Sequence, residues 1–236
     1  MTKEGSPWRS YERIHQLRLG VGDRIHVAER KSPPFDIVTV RSWPGPHIED
    51  KLHMLQQIQH PNFVSAFDAF DLEQSLCIVF EHMPISLQYV ADNPYINELR
   101  LASVLGQVIG AISYLASQNL VHGSITCSNI LLTKDGVIKI ANCENCTERS
   151  SENAFEDVKA LGQVMKQLME MGAKNGRPGL QQPSNWSQEA VDFLSLTMTA
   201  SPTKLAKHPF LQNSPQSHEL VWLISLAQRS ASFFTA

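Results

Sequence analysis

The sequence predicts an α+β protein in which a β-rich first part carrying one helix is followed by a mostly helical second part. Two observations lead there. Before Pro84 the apolar residues alternate over short runs, the period of half-buried strands. After Pro84 the pattern changes, and Leu99 to Gln118 carries a wide apolar stripe at helical spacing. With 236 residues, 42% apolar and 18% charged, the chain is long and apolar enough for a sizeable core. The boundaries are placed at 1–83, 84–214 and 215–236.

In chain order, Val38 and Val40 alternate with Thr39 and Arg41 after the turn-forming Pro33-Pro34, which predicts a strand. Trp43-Pro44-Gly45-Pro46 breaks the chain. A helix is predicted from about His47 to Gln59, since Ile48, Leu52, Leu55 and Ile58 share one face, and His60-Pro61-Asn62 ends it. Phe63–Phe70 and Leu76–Phe80 read as strands separated by an acidic turn, Asp68–Gln74. Past the long helix, Leu120-Val121 and Ile130-Leu131-Leu132 read as short strands. Lys134-Asp135-Gly136 turns the second into Val137–Ile140 as a hairpin. Asn142–Asn153 is polar and reads as loop, Ala154–Met171 as helix, and Gly172–Pro183 as a connector. Ser187–Met198 is a further helix with Ser187 at its N-cap. In the tail, Leu220, Leu223, Ile224 and Ala227 form a helical stripe, with Trp222 off it. That stripe either packs on the second part or belongs to a docking helix with Trp222 as its anchor.

Charge and composition narrow the function. Twenty Lys+Arg against 23 Asp+Glu give a net charge of −3, which argues against a phosphate-driven nucleic-acid binder. Four cysteines are too few for a disulfide scaffold and read as reduced. The N-terminus lacks an apolar signal core, and the C-terminal apolar stretch Leu220–Ala227 is too short to span a bilayer. The expectation is a cytoplasmic protein, with the nucleus also open, and with no nucleic acid and no membrane among its partners. Cys143-x-x-Cys146 offers a local pair for zinc or redox chemistry, without a second pair at metal spacing. Neither H-E-x-x-H nor G-x-S-x-G occurs.

The segment 119–132, NLVHGSITCSNILL, resembles the catalytic loop H-R-D-x-x-x-x-N of the eukaryotic protein kinases. From that anchor the resemblance runs from about Tyr11 to Leu211. EDKLHMLQQIQHPNFV resembles the αC helix and its exit, Ile78–Met83 strand and hinge, Asp157–Gly162 the start of the αF helix, and Lys207–Leu211 the end of the domain. The resemblance implies a two-lobed, protein-kinase-like fold with a β-rich N-lobe, one αC-like helix and a shortened, mostly helical C-lobe. It also implies that Leu55, His122, Ile25 and Leu131 fill internal apolar positions. Phe80 would be a bulky gatekeeper, and Asp157 would bind the backbone of the catalytic loop.

Set beside that pattern, the chemistry is altered at several positions. Of the phosphate-loop glycines only Gly20 aligns, with Arg18 and Asp23 at the others. The phosphate-binding lysine falls on Arg41, and the helix carboxylate that should pair with it falls on Lys51. Two cations about 4 Å apart at an effective dielectric near 20 would repel by about 4 kcal/mol. The catalytic Asp aligns with Ser124 and the D-F-G motif with Asn142-Cys143-Glu144; Asn129 is retained. A hydroxyl is no general base unaided, and two neutral amides make a poor divalent-cation site. No A-P-E follows the short segment Glu144–Glu156. The resemblance thus implies a pseudokinase, a protein-binding scaffold or allosteric regulator with an active kinase among its partners. Gly20, Arg41 and Asn129 are the nucleotide-binding candidates, Ser124 and Asn142 the degenerate catalytic positions, and no residue is assigned to metal; ATP and Mg are weak candidates as cofactors. The alternative is a divergent serine/threonine kinase with residual ATP binding.

Overall fold

The computed structural model describes residues 2–19, 23–44, 48–72, 75–91, 96–170, 180–212 and 217–234. The chain divides into two compact units, Met1–Met83 and Pro84–Ala236. Its architecture is the α+β, two-lobed, kinase-like fold with a shortened C-lobe.

The first unit is a six-stranded sheet with one helix. In chain order it comprises β1 (Thr2–Glu4), a 3-10 turn at Pro7–Arg9, β2 (Tyr11–Leu19), β3 (Asp23–Arg30), β4 (Ile37–Pro44), α1 (Ile48–Gln57), β5 (Ala66–Leu72) and β6 (Ser75–Glu81). The strand order is β1-β5-β6-β4-β3-β2, antiparallel except for β1, which runs parallel to β5. Pleating sorts β4 into two faces. Val38 and Val40 join Tyr11, Ala28, Phe70, Cys77 and Val79 in one apolar cluster, which Trp8 and Leu72 flank. On the opposite face Thr39, Arg41 and Trp43 lie across from Phe80, Ile78 and Leu76.

The predicted acidic turn at Asp68–Gln74 needs correction, because Asp68–Leu72 lies inside β5 and the strand begins at Ala66 rather than Phe63. A partner distant in sequence holds Asp68 there. Its carboxylate accepts the Tyr11 hydroxyl at 2.6 Å and pairs with Lys3 at 2.5 Å. Burial alone would raise the Asp68 pKa, but the hydrogen bonds from Lys3 and Tyr11 outweigh it and hold the carboxyl below the usual range.

The second unit opens with β7 (Ile85–Ser86), α2 (Gln88–Ala91) and the long α3 (Glu98–Ser117), whose Asn97 side chain caps it by accepting the Arg100 N–H. By length and hydropathy α3 meets the criteria for a membrane span, and ten of its twenty residues are buried within this unit. Next come β8 (Leu120–Val121), β9 (Ile130–Leu132) and β10 (Ile138–Ile140), with the last two forming the hairpin that the turn at Lys134-Asp135-Gly136 predicts. The Gln107 side chain fastens this hairpin to α3, accepting the Ile138 N–H and donating to the Gly136 carbonyl.

The polar segment expected as loop contains a 3-10 turn at Cys143–Asn145 and a short strand, β11 (Thr147–Glu148), antiparallel to β8. Then follow α4 (Glu156–Met169), a 3-10 turn at Pro183–Asn185, α5 (Gln188–Leu196), α6 (Pro202–Leu205), α7 (Pro209–Gln212), a 3-10 turn at Ser217–Leu220 and α8 (Val221–Phe234). Ser187 caps α5 as its position predicts, its hydroxyl accepting the Ala190 N–H.

The tail belongs to the core of this unit. Leu220, Leu223, Ile224 and Ala227 are all buried, whereas Trp222 is 41% exposed. The tail packs against α2 and α3. Gly136, at φ 80°, sits where an added Cβ would overlap the Ser217 carbonyl. Deleting residues 217–236 is therefore expected to cost roughly 5 kcal/mol of apolar burial, a fall in Tm on the order of 10 °C. Gly136→Ala should lower Tm in the same direction by pushing the tail off. Differential scanning calorimetry checks both, and an unchanged Tm on deletion would show that the stripe contributes nothing to the core.

Candidate functional site

The cluster that answers to the catalytic-loop motif lies wholly within the second unit and is built from α4 upward. Asp157, in the first turn of α4, is 5% exposed. One of its carboxylate oxygens accepts the His122 N–H and the other the Gly123 N–H, each at 2.8 Å. This is the backbone-binding role that the resemblance gives Asp157. Gly123 sits at φ 71°, a left-handed conformation that costs glycine little. The chain is thereby turned so that Ser124 and Asn129 come onto one side of the loop.

His122 is buried and its tautomer follows from its neighbours. The Ser124 N–H can only donate, so Nδ1 accepts it at 3.2 Å. The Ala141 carbonyl can only accept, so Nε2 carries the proton at 2.9 Å. Burial lowers the imidazole pKa, against the opposing pull of the Ala141 hydrogen bond and of Asp157 and Glu144. Neutral His122 thus joins the loop to the segment that enters Asn142.

Three polar side chains then close on one another. Asn129 donates through Nδ2 to the Ser124 carbonyl and to the Ser124 hydroxyl, both at 2.9 Å. The carbonyl accepts only, which fixes the Asn129 amide with Oδ1 turned away from Ser124. That oxygen accepts from Asn142 Nδ2 at 3.0 Å. Asn142 holds φ 67°, a conformation asparagine tolerates better than most residues. The structure therefore brings Ser124, Asn129 and Asn142 together as a chain of neutral hydrogen bonds. Divalent cations of the Mg type require converging oxygens. This pair presents one oxygen and one N–H toward each other, so these residues do not fit Mg²⁺. Among the described residues no group of three His, Cys, Asp or Glu side chains is placed to hold a metal ion.

Beneath the amides, Cys143, Glu144 and Cys146 are buried. Burial first, then the neighbouring Cys143, Asp157 and Glu144, push the Cys146 thiol well above its ordinary range. Glu144 stands where the family motif has glycine, and its burial beside His122 and Asp157 was not readable from the sequence.

The remaining candidates lie in the first unit. Gly20 lies outside the described residues. Arg41 and Lys51, expected to face each other as bare cations, both lie near one indole, with the Arg41 guanidinium 5.2 Å and the Lys51 ammonium 5.3 Å from the centroid of Trp43. Trp43 is 7% exposed and meets Phe80 edge to face at 6.0 Å. Each cation–π contact contributes about 0.5–2 kcal/mol. Sequence reasoning missed Trp43, although its position two residues after Arg41 on one strand puts both on one face.

Removing the Asp157 carboxylate leaves the buried His122 N–H and the partly buried Gly123 N–H without acceptors. Asp157→Ala is expected to cost about 3 kcal/mol, and Asp157→Asn less because one acceptor survives; urea denaturation measures both. Acid should also destabilise. With the His122 pKa lowered on folding, the unfolded chain binds more protons below its ordinary value of about 6.5, so stability falls as pH drops through that range. His60, also lowered by burial, adds with the same sign. Tm measured from pH 8 down to about 5 should decline less steeply in His122→Gln, and an unaltered decline would refute the buried neutral imidazole.

The family model that matches is the protein kinase domain, over residues 39–160. Among curated relatives, Serine/threonine-protein kinase 10 of Danio rerio is 24% identical over 289 residues, covering 97% of this chain and 29% of that protein. Serine/threonine-protein kinase shk2 of Schizosaccharomyces pombe is 23% identical over 267 residues, 89% of this chain and 45% of its own length. Serine/threonine-protein kinase pak-2 of Caenorhabditis elegans is 31% identical over 104 residues, 44% of this chain and 20% of its own. The chain thus spans less than half the length of each of these relatives. A matched family model over more than half the chain, together with an α4 aspartate clasping the loop that bears His122 and Asn129, makes this chain a member of the protein kinase family.

Proposed function

We propose that the chain is a kinase-fold protein without phosphotransfer activity, acting as a protein-binding scaffold or allosteric regulator. The observation that carries this reading is the Asn142–Asn129 amide hydrogen bond at 3.0 Å. It sets an N–H against the oxygen that a catalytic cation would use. Ser124, at the position of the catalytic base, is tied to the same Asn129 and carries no group that accepts a substrate proton at neutral pH.

A protein partner suits the surface of the tail. Trp222 is exposed beside Arg100, whose guanidinium lies 4.4 Å from the ring centroid. Trp and Arg are the residues most enriched at binding hot spots. The class of partner we favour is an active kinase, met in the cytoplasm or nucleus. The second reading, a divergent serine/threonine kinase with residual ATP binding, draws on the names of the relatives and on the retained Asn129 and the cation at Arg41.

Two measurements decide between them. Purified chain incubated with radiolabelled ATP, Mg²⁺ and a generic protein substrate should transfer no phosphate. Transfer that disappears in Asn129→Ala would establish the enzyme instead. In a thermal-shift titration the chain should gain no Mg²⁺-dependent stabilisation from ATP. Asn142→Asp should change that, because a carboxylate there repels the Asn129 oxygen unless a cation lies between them. A ligand present at about 100 times its Kd stabilises by about 2.7 kcal/mol, well within reach of the method.

A further inference from the structure

Cys143 and Cys146 lie three residues apart in the segment that directly follows Asn142. All four cysteines of the chain are thiols rather than disulfides, and all are buried. Cys77 lies in β6 of the first unit, and Cys127 lies between β8 and β9 of the second. Cys143 and Cys146 alone share a turn: the Cys146 N–H donates to the Cys143 carbonyl at 3.2 Å, closing the 3-10 turn Cys143–Asn145. A hydrogen-bonded four-residue turn keeps its terminal Cα atoms within roughly 7 Å. A disulfide spans Cα separations of about 4.4–6.8 Å. The two side chains are also near enough for Cys143 to act on the ionisation of Cys146.

We propose that Cys143 and Cys146 are a redox modification site, converted reversibly to an intramolecular disulfide by a low-molecular-weight disulfide of the glutathione class. The bond would clip the turn that directly follows Asn142.

The chemistry balances without any further reactant. One protein thiolate attacks a sulfur of the small disulfide, forming a mixed disulfide and expelling one small thiolate. The second protein thiolate attacks the protein-side sulfur, forming the Cys143–Cys146 bond and expelling the other. The protein pair is oxidised by two electrons, the small disulfide is reduced to two thiols, and the two protons from the cysteines end on those thiols.

Access comes by local opening. Asn145 and Thr147 flank the second thiol and are exposed, and beyond them the segment is held by the two-residue β11, both of whose residues are exposed, and by Arg149, whose N–H donates to the Asn119 carbonyl and whose guanidinium donates to the Ala154 carbonyl. Parting these surface hydrogen bonds is a local opening of the kind that lets buried groups react without global unfolding. Burial holds Cys146 as a thiol in the closed turn, so the thiolate that attacks forms in the opened segment, where water reaches the sulfur. Because the turn leads out of Asn142, closure would also hold that residue in its left-handed conformation.

The experiment uses the full native chain equilibrated over a range of reduced-to-oxidised glutathione ratios, acid-quenched, unfolded, alkylated with N-ethylmaleimide and cut with trypsin. Peptide 140–149 contains Cys143 and Cys146 and no other cysteine. At oxidising ratios it should appear two hydrogens lighter and unalkylated, and dithiothreitol should restore both alkylations. The double variant Cys77→Ser/Cys127→Ser, which leaves the pair intact, should behave identically, while Cys143→Ser should lose the signal. The proposal is overturned if both thiols alkylate at every ratio, if a single-cysteine glutathione adduct persists without resolving, if the cross-link involves Cys77 or Cys127, or if oxidation occurs only in denaturant. The result does not depend on whether the chain transfers phosphate.

Discussion

The clasp between Asp157 and the two successive N–H groups of His122 and Gly123 is the constraint from which the rest of the site follows. A carboxylate satisfying two successive backbone donors, one of them buried, fixes two peptide groups at once. Hydrogen bonds to a charged acceptor contribute about 1.5–3 kcal/mol each, more than their neutral counterparts. With Gly123 held at φ 71°, Ser124 must fold back so that its N–H meets His122, and its carbonyl and hydroxyl are left facing Asn129. Asn129 has then spent its amide protons and offers only its oxygen, and Asn142 answers with an N–H. The order of donors along this chain of bonds leaves no freedom in how either amide is turned.

The same clasp explains how a kinase fold holds its loop where the residues at two positions differ from the family pattern. Asp157 and His122 organise backbone, and their partners are backbone groups that any sequence supplies. Ser124 and Asn142 stand where charge would be needed, and their replacement by neutral groups removes carboxylates that would otherwise repel one another in the absence of a cation. The Ser124 hydroxyl and the Asn142 amide instead join Asn129 in one chain of neutral hydrogen bonds.

In the first unit an aromatic side chain gathers charge. Arg41 and Lys51 are like charges placed where the family pattern sets opposite ones, and the face of Trp43 takes both. Its indole meets Phe80 edge to face in turn. On the other face of the sheet Asp68 is held by Lys3 and Tyr11, which ties the N-terminal strand to β5 through residues more than fifty positions apart.

By itself the sequence determined the type and order of the longer elements after Pro34, while short pieces such as β11 escaped it. Periodicity in Val38–Arg41, in Leu101–Leu115 and in the Leu220–Ala227 stripe reports which residues lose water, and burial of an apolar face is a local property of spacing. Caps and turns such as Ser187 and Lys134-Asp135-Gly136 are likewise local, since donor and acceptor lie within a few residues. The motif at His122–Asn129 located the site for the same reason. The tertiary structure alone decided what depends on partners distant in sequence: that Asp68 continues a strand rather than starting a turn, that β1 runs parallel beside β5, that Trp43 serves two cations, that the tail stripe closes the second unit, and that Asn142 turns its nitrogen toward Asn129. An asparagine is both donor and acceptor, and a tryptophan is both apolar and a seat for cations. Which of those capacities is used is set by the groups the fold brings alongside, and composition carries no record of them.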